Sequence, residues 1–170
     1  MRTSRVLATV AAIGVLGGIG AISAQRNSGS GTFTGADVAE IERLYYRYSQ
    51  GLDFQEEETY LSAWADDAVF TQGDGSKVNG REELRKRFRE APGGEGRTTL
   101  HVTTNILVTP TDNGGAKGRG YWVLFDTGQT PPQARMSGHY FDTFTRTPQG
   151  WRIKTRGSVR GWDWRVKKTQ

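Results

Sequence analysis

Cysteine is absent from the 170 residues, and histidine occurs only twice, at His101 and His139. The first absence excludes a disulfide framework, a thiolate metal site and a cysteine nucleophile. The second excludes a three-histidine zinc site and leaves little from which to build a two-histidine carboxylate site, so no metal is expected. No serine stands in the strand-turn-helix context of a nucleophile elbow. Gly118-Arg119-Gly120 falls inside a predicted strand with no helix after it, which disqualifies it as a phosphate loop. The chain also lacks internal repeats.

Charge is missing from one long stretch. Arg2 and Arg5 precede a run from Val6 to Ala24 without a charged residue, and Ile22-Ser23-Ala24 offers a small residue before a cut at Gln25, the pattern of an export signal. The run is rich in glycine and alanine and only about long enough to cross a bilayer, so cleavage is preferred to an uncleaved anchor. A buried core helix is disfavoured, because each interior glycine would cost about 1 kcal/mol. Residues 1–24 therefore read as signal peptide or membrane anchor. Residues 25–34 read as a flexible linker, and 35–170 as one domain outside the cytoplasm, periplasmic or extracellular.

The formal charge of +5 falls by two without Arg2 and Arg5. Much of the remaining excess lies in Arg152, Lys154, Arg156, Arg160, Arg165, Lys167 and Lys168, interleaved with Trp151, Trp162 and Trp164. Such a mixture can bind single-stranded nucleic acid. A last strand with one buried and one solvated face produces the same pattern. The second reading is preferred, and no nucleic-acid partner is expected.

Thr34 followed by Asp37 resembles a capping box, and Val38, Ile41, Leu44, Tyr45, Tyr48 and Leu52 recur at helical spacing. Gln55 to Ala65 predicts a second, short helix with Tyr60, Leu61 and Trp64 on its apolar face. Ala68–Thr71 and Lys77–Asn79 predict short paired strands around the turn Gly73-Asp74-Gly75-Ser76. A third helix runs from Arg81 to about Glu90 and is stopped by Pro92-Gly93-Gly94. The period then changes to two, giving strands over Thr98–Thr109, Ala116–Thr127, Arg135–Arg146 and Trp151–Trp164. Three N-terminal helices followed by an antiparallel meander make an α+β fold, with the helices packed on one face of a curved sheet.

His101 shares a strand face with Thr103 and Asn105 by period-two parity. Asp53 ends the first helix, one turn past the stripe that packs on the sheet. A carboxylate there could fix the imidazole tautomer and stabilise its charged form, leaving the other ring nitrogen as a general base. The residues alone also allow Asp53 to be a helix-ending carboxylate and His101 a satisfied core histidine.

The stretches Tyr45-Tyr46-Arg47-Tyr48-Ser49-Gln50-Gly51-Leu52-Asp53, Trp64-Ala65-Asp66-Asp67-Ala68-Val69-Phe70, Leu100-His101-Val102-Thr103-Thr104-Asn105, Gly138-His139-Tyr140-Phe141-Asp142 and Gly150-Trp151-Arg152-Ile153 together resemble the SnoaL-like branch of the nuclear-transport-factor-2-like superfamily. The resemblance covers Asp37 to about Trp164 and implies a cone-shaped α+β barrel. Elimination enzymes of that superfamily, scytalone dehydratase and hexachlorocyclohexane dehydrochlorinase among them, are similar in carrying Asp and His at the Asp53 and His101 positions. There the pair removes a carbon-bound proton without a cofactor. The resemblance thus implies Asp53 and His101 as catalytic, with Tyr48, Asn105, Trp122, Tyr140 and Trp64 lining a pocket for a small apolar ligand. Tyr48, Tyr140 and His139 are candidates for protonating a leaving group, an assisting Arg falls near Arg146, and Asp142 can pair with an Arg across strands.

Two readings follow: a cofactor-free lyase or isomerase, or a non-catalytic binding or dimerisation module whose pocket is filled by Trp64, Phe70 and Trp122. A partner subunit of a ring-hydroxylating oxygenase is a weaker third, since the export signal argues against it. A homodimer through the outer face of the sheet is expected from the family.

Overall fold

The computed structural model describes residues 32–90 and 98–161. The segment read as signal peptide or anchor, most of the stretch read as linker, the Pro92-Gly93-Gly94 stop and the strand end expected to bear Trp162 and Trp164 lie outside the described residues.

Helix α1 (Gly35–Asp53) begins in the capping box read from the sequence: Thr34 Oγ1 accepts from the Asp37 amide, and the Asp37 carboxylate accepts from the Thr34 amide at 2.8 Å. Its stripe of Ile41, Leu44, Tyr45, Tyr48 and Leu52 is buried. Burial of each such side chain contributes roughly 1.5–3 kcal/mol, which holds the helix on the sheet. Helix α2 (Glu57–Leu61) is five residues long, shorter than predicted. Trp64 consequently belongs not to this helix but to the start of strand β1 (Trp64–Thr71). The reason is tertiary: the Ala63 carbonyl accepts from the Ile153 amide at 2.9 Å, drawing the chain into the sheet ladder before another helical turn can form.

Strand β2 (Lys77–Asn79), helix α3 (Gly80–Glu90), β3 (Thr99–Pro110), β4 (Ala116–Asp126), β5 (Gln133–Thr147) and β6 (Gly150–Arg160) complete the domain. The sheet order is β2-β1-β6-β5-β4-β3, antiparallel except for the parallel β1–β6 pair. The sheet is open, with β2 and β3 at its edges, and with the three N-terminal helices it makes the α+β fold expected from the sequence.

Two irregularities decide which side chains face α1. In β3 the register runs Thr104↔Tyr121 and then Leu107↔Arg119, so the chain carries one extra residue there. Asn105 takes it up with φ 53°, a left-handed conformation that Asn tolerates better than most residues. In β6 the register passes from Thr155↔Thr143 to Ile153↔Phe144, leaving Lys154 as the extra residue. Trp151 and Ile153 face inward on one side of that bulge, and Arg156 on the other.

Small residues in the meander make room for large ones. Gly118 faces Asp142 in the β4–β5 register, and a Cβ there would stand 2.7 Å from the Phe144 ring and 2.9 Å from the Tyr45 hydroxyl. The glycines of Gly118-Arg119-Gly120 thus serve close helix-sheet approach rather than phosphate binding. Gly138, opposite Trp122, leaves the space in which the Trp122 indole lies, since a Cβ would meet that ring at 2.7 Å.

Candidate functional site

Asp53, the last residue of α1, bonds to β3 rather than capping its own helix. Its Oδ2 accepts the His101 backbone N–H at 2.9 Å, and its Oδ1 lies 2.5 Å from His101 Nδ1. A carboxylate oxygen can only accept here, so Nδ1 carries the proton and Nε2 the lone pair. The side chains are 7% and 17% exposed for Asp53 and His101 respectively, which keeps the pair at the margin of the core and accessible on the histidine side. One turn back along α1, Ser49 Oγ meets Thr103 Oγ1 at 3.1 Å.

From Thr103 the register leads inward. Thr103 pairs with Trp122, whose indole stacks on Tyr140 with ring centroids 6.0 Å apart. Tyr48 lies 5.8 Å from both Tyr140 and Trp64, and Phe70 is 5.7 Å from Trp64. Four of the five residues expected to line a pocket, Tyr48, Trp64, Trp122 and Tyr140, therefore meet in one buried aromatic cluster. The fifth does not. Asn105 is exposed, its carboxamide oxygen accepting from Thr104 Oγ1 at 2.9 Å, because the bulge turns it away from the face that His101 and Thr103 share.

At the centre of the cluster is an ion pair. Arg156 Nε and Nη2 donate to the two Asp142 oxygens at 2.9 and 2.7 Å, and neither side chain has any exposed surface. The guanidinium carbon sits 4.0 Å from the Tyr140 ring centroid and 4.5 Å from that of Tyr48. Asp142 thus does take an Arg across strands. Arg156, read from the sequence among solvated C-terminal cations, is inside because the Lys154 bulge reverses the alternation. Burial by itself would lower the Arg156 pKa, but the Asp142 carboxylate reverses the effect and holds it above its usual value. Burial likewise pushes the phenols of Tyr45, Tyr60 and Tyr140 far above their ordinary range, so these hydroxyls keep their protons.

Two other candidates stand elsewhere. His139 is buried on the opposite face of β5 from Tyr140, edge-on to Phe141 with centroids 4.8 Å apart. Arg146 is half-exposed and bonds Asp37 Oδ1 at 2.6 Å, at the start of α1. By helical rise that lies about 24 Å from Asp53, so Arg146 does not belong to the Asp53–His101 site. Among the described residues no group of three or more His, Cys, Asp or Glu is placed to hold a metal ion. A surface pocket of about 300 Å3 is lined by Ala134, Arg135, Met136, Ser137, Arg160 and Gly161, none of which belongs to the dyad or the aromatic cluster.

A sequence profile of the SnoaL-like domain matches residues 34–157. Several solved structures share the fold. A cystatin-like protein of unknown function from Nostoc punctiforme is 23% identical, covers 76% of this chain and 94% of its own, and superposes with a TM-score of 0.67. A Novosphingobium aromaticivorans protein named as a candidate scytalone dehydratase is 22% identical over 75% of this chain and 85% of its own, with a TM-score of 0.63. LinA is 21% identical over 75% and 87%, with a TM-score of 0.64. No curated protein sequence matches the chain.

Proposed function

Because the chain belongs to the SnoaL-like domain family, we propose that it is a cofactor-free lyase or isomerase in which His101, oriented by Asp53, acts as general base. The observation that carries this reading is the two-point hold of Asp53 on His101, at 2.9 Å to the amide and 2.5 Å to Nδ1. Nε2 takes a proton from carbon beside an activating group such as a carbonyl, and Asp53 stabilises the imidazolium that forms. The electron pair left on carbon either forms a double bond as a leaving group departs with a proton, or is reprotonated elsewhere. Tyr48 is the preferred donor to a leaving group, being a buried phenol five residues before Asp53 on the same helix. The substrate class proposed is a small, mainly apolar and cyclic molecule. The fold's likeness to a candidate scytalone dehydratase and to LinA supports elimination as the reaction type. Export is proposed from the uncharged run after Arg2 and Arg5.

The test is proton exchange. Cyclic ketones and β-hydroxy ketones incubated with the protein in deuterium oxide should gain deuterium next to the carbonyl or lose water, as read by NMR. His101→Ala and Asp53→Asn should reduce the rate by about a hundredfold or more. Exchange that survives in His101→Ala would remove the histidine from the chemistry, and no exchange or elimination across the panel would reject the enzyme reading.

A second reading rests on two observations. Trp64, Phe70 and Trp122 fill the interior of the fold, and Leu100, Val102, Tyr121 and Phe141 leave a large apolar area exposed on the outer face of β3, β4 and β5. These favour a non-catalytic module that pairs with a second copy through that face. Sedimentation of Phe141→Lys against the unmodified protein tests it: loss of a dimer supports pairing there, and a monomer in both cases rejects it.

A further inference from the structure

The face of the sheet turned away from α1 carries cations and apolar side chains but, at its ladder-paired positions, no Asp or Glu. One row of outward positions crosses all six strands: Lys77, Thr71, Gly157, Phe141, Arg119 and Leu107, each opposite the next. Lys117 stands beside that row, two residues before Arg119 and so on the same face of β4. The carboxylates of the strands are elsewhere. Asp126 and Asp142 are buried on the inner face, and Asp66 and Asp67 lie between Trp64 and Val69, where the β1 register is broken. Asp74 and Asp112 belong to turns, and Asp74 accepts from the Ser76 amide and hydroxyl at 2.9 and 2.7 Å. Among the described residues no hydrogen bond or salt bridge engages Lys77, Lys117 or Arg119, and all three are exposed.

Between these cations the face is apolar. Leu107 and Phe141, the cross-strand neighbours of Arg119 on either side, are each 50% exposed, and Leu100, Val102 and Tyr121 are exposed as well. Five inter-strand gaps of about 4.8 Å make the row about 24 Å wide. An exposed apolar area of that breadth marks a contact surface, and the cations within it restrict what the contact can be. A second copy answers the apolar part but not the charge. In a two-fold contact the face meets itself, and it holds no carboxylate to receive Arg119 from the middle of the apolar row. A bilayer with anionic headgroups answers both. Leucine and aromatic side chains enter the boundary of the acyl chains, while the long Lys and Arg stems lie along it and bring their charges to the phosphates.

We propose that this outer face, centred on Leu107, Arg119 and Phe141 and flanked by Lys77 and Lys117, docks on an anionic lipid surface. The Asp53–His101 pair lies on the other side of the sheet, so docking leaves it uncovered. The inference concerns adhesion and does not rest on His101 acting as a base.

The experiment uses the full chain and sucrose-loaded vesicles, either of phosphatidylcholine alone or with an equal amount of phosphatidylglycerol, and reads the bound fraction by sedimentation. Salt is held at about 0.1 M, where charge acts over about 10 Å. Anionic vesicles should bind at least about tenfold more tightly than neutral ones. Lys117→Glu with Arg119→Glu should remove that preference, and Lys117→Gln with Arg119→Gln should reduce it. Leu107→Ser with Phe141→Ser should weaken binding to anionic vesicles severalfold. Arg43→Glu with Lys86→Glu changes the net charge equally on α1 and α3, and should leave the preference in place. Neutral and anionic vesicles bound alike would point to the uncharged run Val6–Ala24 and overturn the proposal. A preference that survives Lys117→Glu with Arg119→Glu, or that the α1 and α3 control removes equally, would also overturn it. A dimer that Phe141→Lys dissolves, with no vesicle bound, would give the face to a second copy, and a monomer that binds neither vesicle would reject lipid as the occupant. None of these readings involves turnover, so failure here is distinct from failure of the exchange experiment on the dyad.

Discussion

Ser49 Oγ and Thr103 Oγ1 lie 3.1 Å apart, one rung along from the Asp53–His101 contact, so α1 and β3 are joined by two successive polar bonds. The spacing works because four residues of helix advance about 6 Å and two residues of strand about 6.8 Å. As the helix numbering rises from 49 to 53 the strand numbering falls from 103 to 101, so the two elements run in opposite directions. The dyad is therefore braced along its length and not held by a single contact.

That bracing predicts unequal losses of stability. Asp53→Ala leaves the His101 amide and ring nitrogen without their acceptor and should cost about 1–3 kcal/mol in urea unfolding at neutral pH. Ser49→Ala removes one neutral bond and should cost about 0.5–1.5 kcal/mol. An Asp53→Ala protein as stable as the parent would show that the carboxylate contributes nothing net to the fold.

The Asp142–Arg156 pair, with neither side chain exposed, calls for a different prediction. Asp142→Ala strands a guanidinium that already has one unpartnered nitrogen and should cost about 3–5 kcal/mol. The double replacement Asp142→Leu with Arg156→Met removes both charges and should recover most of that loss, because a buried pair and an apolar substitute of similar volume are often close in stability. If the double variant is no more stable than Asp142→Ala, the pair is needed for packing that apolar side chains do not reproduce.

Much of this was legible in the sequence, and what was missed shares one physical cause. The Thr34–Asp37 capping box, the α1 stripe, the meander and the meeting of Asp53 with His101 all follow from periodicity, local chemistry or family resemblance. Asn105 and Arg156 were misplaced because period-two parity holds only while a strand is regular. A single extra residue, Asn105 in β3 and Lys154 in β6, reverses it. Asn at a left-handed φ was the one local hint of the first bulge. The second has no sequence signal we can identify. Trp64 went to the wrong element because a five-residue helix followed by a strand presents the same apolar residues as one longer helix.

Asp37 and Arg146 give a prediction about a charge pair that the resemblance had brought near the chemistry. Arg146 is half-exposed, so Arg146→Ala should lower stability by no more than about 1 kcal/mol and should leave any exchange activity unchanged. Asp37→Ala should cost more, about 2 kcal/mol or above. It removes the reciprocal bond of the helix cap and the acceptor of the buried Trp151 indole N–H at 2.9 Å. Equal effects of the two substitutions would mean that Asp37 acts mainly through Arg146, contrary to the geometry.

His139 sets the expected pH dependence. Burial lowers its pKa below the ordinary 6.5, so the folded protein keeps the ring neutral where the unfolded chain would take up a proton. Stability rises with pH wherever the unfolded state binds more protons, so acidification should begin to cost stability below about pH 6.5. The loss should continue until the folded-state pKa is reached. Asp37 adds a second, lower window. Burial would raise its pKa, but bonds from Trp151, Thr34 and Arg146 outweigh burial and hold it below the ordinary 3.8. Its contribution is present above that value and fades as pH falls through the lowered one. Chemical unfolding of the parent and of His139→Gln, followed from pH 7.5 to 3.5, separates the two windows. The substitution should flatten the decline between pH 6.5 and 5 and leave the loss below pH 4 in place. A parent curve already flat from pH 7 to 5, or one that His139→Gln leaves unchanged there, would show that burial does not hold this imidazole neutral.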